Sequence, residues 1–217
     1  MRYPMLSPTF YTLPGEEAFA PKVAHPGEDA GGDISARVTD EYSLDKAKAF
    51  YSNYAQSVSK QAPSAKSNLF VDGKDQPSSE GNFLDLISQD GAILLYPGAT
   101  VLVNSGFKIL FPDLKNLGSP WSSFVPCYNI LPRSGLACKH NVTVTNSPGL
   151  VDSGYQDWIK VSLTNNSNNY HAFRHGARIA QGVFALVIDQ SSSQTTTNDS
   201  IFTATKRAIG GFGSTAL

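Results

Sequence analysis

From Gly91 onward the apolar residues gather in short runs. AILLY, ATVLV and FKILF follow one another, separated by Pro97-Gly98 and by Asn104-Ser105-Gly106. Runs this short with turn residues between them predict the strands of an all-β sandwich or barrel. NVTVT and DWIKVSLTN alternate, as a strand with one buried face does, whereas RIAQGVFALVI is long and nearly continuous, the pattern of a strand buried on both faces. One segment breaks the rhythm. In SLDKAKAFYSNYAQSVSK, the residues Leu44, Ala47, Tyr51, Tyr54 and Val58 recur at spacings of three and four, one stripe of a helix. Ser43 stands as its N-cap, Asp45 in its first turn and Lys60 in its last. It is the one helix the pattern predicts. The polar stretches around Leu69, Phe70 and Val71 predict loop or linker.

The expected organisation is therefore a single domain over residues 1–217, interrupted by a helical and loop block at 40–89 and ending in a flexible arm at 190–217. The arm begins with QSSSQTTTNDS, too polar to bury a core of its own. From Gln190 to Lys206 it could span on the order of 50 Å if extended.

Charge narrows the function classes. Seventeen Lys and Arg against 18 Asp and Glu leave a formal net charge of −1. That is no basic field for gathering a nucleic acid, so any phosphate recognition must be local. No run approaches the roughly 20 apolar residues of a membrane-spanning helix. The N-terminal stretch, broken by prolines, makes a poor signal peptide, and the expected setting is intracellular and cytoplasmic, or nuclear in a eukaryote. Cys127 and Cys138 lack zinc-site spacing and are expected as free thiols packed like small hydrophobes.

Three segments carry chemistry. LPRSGLACKH offers the planar fork of Arg133, the hydroxyl of Ser134, and Gly135, which lets an anion approach the backbone amides. NSPGLVDSGYQDWIKV sets Asp152 and Tyr155 between two strand-like runs, after a turn at Pro148-Gly149. RAIGGFGSTAL surrounds the lone aromatic Phe212 with glycines behind Arg207, an arrangement suited to ordering only when something is bound.

Taken in order, AGGDISA, PRSGLA, NSPGLVDSGYQDWIKV, GARIAQ and RAIGGFGST closely resemble the five motifs of the trimeric dUTP pyrophosphatases, the dUTPases. The resemblance implies a jelly-roll subunit, a homotrimer with active sites at subunit boundaries, and hydrolysis of dUTP to dUMP and pyrophosphate by water attack on the α-phosphorus. Asp152 matches the carboxylate that activates the water, Asn146 a polar residue at the edge of the uracil pocket, and Tyr155 the aromatic under the deoxyribose. Arg133, Ser134 and Gly135 match the phosphate-binding turn, and Gln181 the amide that touches the triphosphate. Asp33 matches a carboxylate linked through water to a Mg2+ ion held mainly by the triphosphate, with Arg178 supporting it. In the tail, Arg207 matches the γ-phosphate ligand, Phe212 the ring that stacks on uracil, and Gly213 with Ser214 the turn that wraps the phosphates. Base–aromatic stacking, worth roughly 1–3 kcal/mol, would help offset the ordering of such an arm.

Two features depart from the resemblance. Where the family commonly has Asp-Tyr-Arg-Gly or Asp-Tyr-Gln-Gly, this chain has Gly154-Tyr155-Gln156-Asp157 and then Trp158, which bears on the hairpin's shape and on uracil selectivity. The 40–89 block has no counterpart in compact members; it is expected to rest on the outer surface of the jelly roll, and a protein partner for it is left open. A dCTP deaminase of the same fold and a nucleotide-responsive regulatory protein acting through the block are the alternatives. PRSGLA and Asp152 favour hydrolysis over deamination.

Overall fold

The computed structural model describes residues 6–61, 67–76, 79–195 and 197. In chain order these form β1 (Thr9–Thr12), β2 (Gly32–Ser35), helix α1 (Leu44–Lys60), β3 (Leu69–Val71), β4 (Lys74–Gln76), helix α2 (Glu80–Ile87), β5 (Ala92–Leu95), β6 (Thr100–Asn104) and β7 (Phe107–Leu110). There follow β8 (Phe124–Pro132), helix α3 (Ser134–His140), β9 (Val142–Val144), β10 (Gly149–Asp152), β11 (Lys160–Asn165), β12 (Tyr170–Arg174) and β13 (Arg178–Ile188). The sheets run β10-β8-β13-β2, β6-β11-β9, β4-β3-β12-β5 and the ribbon β1-β7. Pairing is antiparallel except between β3 and β12. This is the jelly roll the resemblance implies, built from the strands the short apolar runs predict.

The main core gathers one face of nearly every strand, with Ile34, Ile93, Val103, Phe107, Ile130 and Val161 among its buried members. In β11 alternation does the sorting: Val161, Leu163 and Asn165 point in while Ser162 and Thr164 stay half-buried. Asn165 is fully buried but satisfied. Its amide donates to the carbonyls of Leu95 at 3.3 Å and Asn169 at 2.7 Å, and its oxygen accepts from the Ser167 hydroxyl at 2.7 Å.

The long apolar strand is β13, but it is not buried throughout. Ile179 and Ala180 are enclosed, whereas Val187 and Ile188 at its far end are 44% and 72% exposed. Gly182 lies under the Tyr128 ring, so close that a Cβ there would collide with the phenol oxygen and the ring carbons beside it. Only glycine fits.

Residues 44–87 build a second core on the far side of β12. The α1 stripe buries Ala47, Phe50, Tyr51 and Tyr54, and Tyr51 stacks on Phe83 of α2 with ring centroids 4.7 Å apart. Gly91, at φ 79°, packs so tightly on the Tyr42 carbonyl that a side chain there would strike it, and this contact closes the block against the sheet. Three sequence expectations change here. Leu69–Val71 is not loop but a strand that extends the β12-β5 sheet, continued through an Asp72-Gly73 turn with φ of 51° and 78°. A two-residue turn with positive φ at both positions is a strong hairpin signal, and in Val71-Asp72-Gly73-Lys74 polar neighbours mask it. The carboxylate of Asp72 then grips Arg174 at both its guanidinium and its backbone N–H. Helices α2 and α3 add to the one helix expected; each is too short to show a repeating stripe. Ser43 precedes α1 as expected, but its side chain makes no capping bond. Cys127 is buried and Cys138 exposed, both as free thiols. Among the described residues no helix is long and apolar enough to cross a membrane.

His171 on β12 lies beside the main core. It is fully buried, its ring parallel to Phe70 at 5.2 Å and to Phe173 at 6.3 Å, with His140 edge-on at 5.7 Å. Burial first, and the neighbouring His140 second, push its pKa down to about 4. The unfolded chain would take up this proton near pH 6.5. The stability contributed by a neutral His171 is therefore complete above about pH 6.5 and is lost as the pH falls towards 4. Denaturant titrations at pH 7, 6 and 5 should show wild type weakening more steeply than His171→Phe. Equal slopes would contradict a neutral buried imidazole.

Candidate active site

Strand β10 carries Asp152 to the mouth of a hairpin. The chain turns at once, the Tyr155 N–H donating to the Asp152 carbonyl at 3.0 Å, and the Tyr155 hydroxyl donates to the Trp158 carbonyl at 3.1 Å. Asp152 and Tyr155, together with Asn146, Gly149 and Lys160, line a cleft of about 210 Å³ floored by Ile130 and Val161. Gly149 keeps it open, since a Cβ would meet Ile130 at 3.3 Å and the Asn146 amide at 3.4 Å. Asp152 and Asn146 are exposed at the rim. Opposite Asp152 across the ladder lies buried Cys127, whose thiol is pushed up first by burial and then by the Asp152 charge, which keeps it a neutral bystander. Asp157 in place of glycine is harmless to the backbone. Neither Asp157 nor Gly154 adopts a positive φ, so the hairpin does not need glycine there.

A second group forms where β2, β8 and β13 run side by side. Asp33 sits opposite Gln181 and accepts from two arginines, Arg133 Nε at 2.9 Å and Arg178 Nη1 at 3.0 Å. Arg133 also reaches the Arg178 carbonyl at 3.4 Å, and the Gln181 amide donates to the Pro132 carbonyl at 3.0 Å. Arg178 is 59% exposed, so its bridge to Asp33 does little for stability and serves to orient. One carboxylate between two guanidiniums leaves a surplus positive charge in fork geometry, suited to phosphate oxygens. Ser134 and Gly135 follow Arg133 as the exposed first residues of α3, not a free turn. Nothing lies within 4 Å of a Cβ built on Gly135, so within one chain no described neighbour demands glycine there.

The two groups do not share a cavity. Asn146, Asp152 and Tyr155 line the hairpin cleft, while Asp33 and Gln181 line a separate depression with Lys22, Glu28 and Asp29. Arg207, Phe212, Gly213 and Ser214 lie outside the described residues. Sequence reasoning missed Lys160 in the cleft and Lys22 beside Asp33; neither residue type nor spacing marks them. Among the described residues no group of three or more His, Cys, Asp or Glu could enclose a metal ion. Asp33, already held by two arginines, suits contact through water with a hard cation that is carried by phosphates, as Mg2+ is.

A family model described as dUTPase matches residues 121–216. The deoxyuridine 5'-triphosphate nucleotidohydrolase of Caulobacter vibrioides is 37% identical over 131 residues, 60% of this chain and 75% of that protein. Among solved structures, the dUTPase of Staphylococcus bacteriophage 80alpha with dUpNHpp is similar over 97% of this chain and 99% of its own, with TM-score 0.55 and 14% identity. A mutant dUTPase from phage phi11 of S. aureus, described with a structural Mg(II) ion, is similar over 87% of this chain and 96% of its own, with TM-score 0.50 and 12% identity.

Proposed function

The chain belongs to the dUTPase family, and from that membership we propose that it hydrolyses dUTP to dUMP and pyrophosphate at a site built from the hairpin cleft and the Asp33 cluster. The observation that carries this reading is the cleft itself, which gathers the Asp152 carboxylate, the Tyr155 ring and the Asn146 amide on one hairpin. Asn146 hydrogen-bonds the edge of uracil, and the Tyr155 ring lies under the deoxyribose, leaving no room for a 2′-hydroxyl. Asp152 accepts a proton from the attacking water as its oxygen bonds to the α-phosphorus. The bond from that phosphorus to the bridging oxygen breaks, and pyrophosphate leaves with the electron pair. Arg133, with Ser134 and Gly135 behind it, and Gln181 hold the phosphate oxygens, while Asp33 and Arg178 keep the Arg133 fork aimed. A Mg2+ ion bound with the triphosphate would neutralise phosphate charge, and Asp33 would reach it through water.

Since the cleft and the cluster are separate depressions in one chain, the complete site is assembled between subunits of a homotrimer, each lending its cleft to a neighbour's arginines. The exposed apolar end of β13, Val187 and Ile188, supports association. Residues 190–217 act as an arm that brings Arg207 to the γ-phosphate, stacks Phe212 on uracil, and wraps Gly213 and Ser214 around the phosphates. The 40–89 block serves as an accessory element away from the chemistry, and the nucleotide substrate goes with a cytoplasmic setting.

Asp152→Asn keeps the shape of the rim but removes the base, so single-turnover hydrolysis should fall by about 10²–10⁴-fold while dUpNHpp still binds. Near wild-type turnover would remove Asp152 from that role. Deleting residues 207–217 should leave a folded oligomer that binds dUTP weakly and turns it over poorly, as read by calorimetry and pyrophosphate release. Unchanged kinetics would exclude the arm from the site.

A further inference from the structure

Trp158, which follows the departure from the family pattern at Asp157, is held by groups outside the site. Its indole lies 5.9 Å from the Tyr11 ring of β1, and Lys108 Nζ of β7 stands 5.0 Å over it. Tyr11 and Lys108 are direct partners across the β1-β7 ladder, so the ribbon presents a ring and a cation side by side to one indole. The next peptide is tied to the same strand, with the Ile159 N–H donating to the Phe107 carbonyl at 2.9 Å. On its other side the Trp158 carbonyl takes the hydroxyl of Tyr155 at 3.1 Å. Tyr155 is 40% exposed, and among the described residues its phenol end is placed by this bond to Trp158 while its backbone N–H is held by Asp152.

We propose that Tyr11, Lys108 and Trp158 form a clamp that positions the Tyr155 ring and so sets the discrimination between deoxyribo- and ribonucleoside triphosphates. These are positioning residues. They touch the ring's tether rather than the substrate, and the proposal rests on the reading of Tyr155 as the ring beneath the sugar. A ring that can tilt away from the sugar opens space for a 2′-hydroxyl without removing the general base or the phosphate ligands. The effect therefore belongs in KM and in the ratio of kcat/KM for dUTP over UTP, with kcat for dUTP little changed.

The test is steady-state kinetics of the full chain with dUTP and UTP. Lys108→Gln removes the cation from the ribbon, and Trp158→Ala removes the indole but keeps the carbonyl. Trp158→Ala should lower the dUTP-to-UTP ratio by about tenfold, and Lys108→Gln by a smaller factor, in line with a single cation–π contact. Lys108→Arg and Trp158→Phe should restore most of it, which a general loss of stability would not do. Thermal unfolding of each variant identifies any that is misfolded, and Lys108→Gln, a change at a half-buried position, serves as the measurement if Trp158→Ala fails to fold. A ratio unchanged in the folded variants overturns the clamp. A wild type that hydrolyses neither nucleotide, or does not prefer dUTP, overturns the assigned substrate instead.

Discussion

The ladder between β8 and β13 runs unbroken from Pro132 opposite Ala180 to Phe124 opposite Ile188, and it positions the residues proposed for the chemistry. Its β13 side carries Arg178 and Gln181; its β8 side ends at Pro132 and releases Arg133 at the start of α3. On the outer edge of β8 hangs β10, with Asp152 opposite Cys127, and on the outer edge of β13 lies β2, with Asp33 opposite Gln181. A one-residue slip would turn the side chains on one side of the ladder to the wrong face relative to those on the other. The close fit of Tyr128 over Gly182 is what forbids the slip, because no other residue accepts the ring.

On the proposed reading, the same ladder divides the site. Asp152 on β10 and the Asp33 cluster of β2, β8 and β13 are fixed on one sheet, with two strands between β10 and β2, and they open into different depressions. Rigid strands hold each half to its geometry, and the proposed association would join them. The outer face of β12 lies apart from both depressions, and residues 44–87 use it to build a second core around Tyr51 and Phe83.

The sequence was most legible where pattern and chemistry were local. The runs that became β5, β6, β7, β11 and β13 could be read from period and turn residues, and the α1 stripe from its spacing. Asp152, Tyr155 and Asn146 fall within ten residues of one another, so one motif could reveal them as a cleft. Less could be read where the decisive contact was distant in the chain. Leu69–Val71 is a strand because β12, about a hundred residues later, offers it an edge. That Asp33 would bind Arg133 and Arg178 required β2 and β13 to be neighbours, and that Trp158 would find a seat depended on Tyr11 and Lys108 meeting across a ribbon. These are facts of topology, and no local window contains them.

Whether a hairpin cleft and an arginine cluster from different chains make one working site is tested most directly by subunit mixing. Asp152→Asn and Arg133→Gln proteins, each inactive alone, are combined under conditions where subunit exchange is confirmed by mass spectrometry, and pyrophosphate release from dUTP is followed. Activity should return in mixed oligomers, because an intact cleft then meets an intact cluster across a boundary. Complete exchange with no recovery of activity would mean that both halves act within one chain, and would contradict a site shared between subunits.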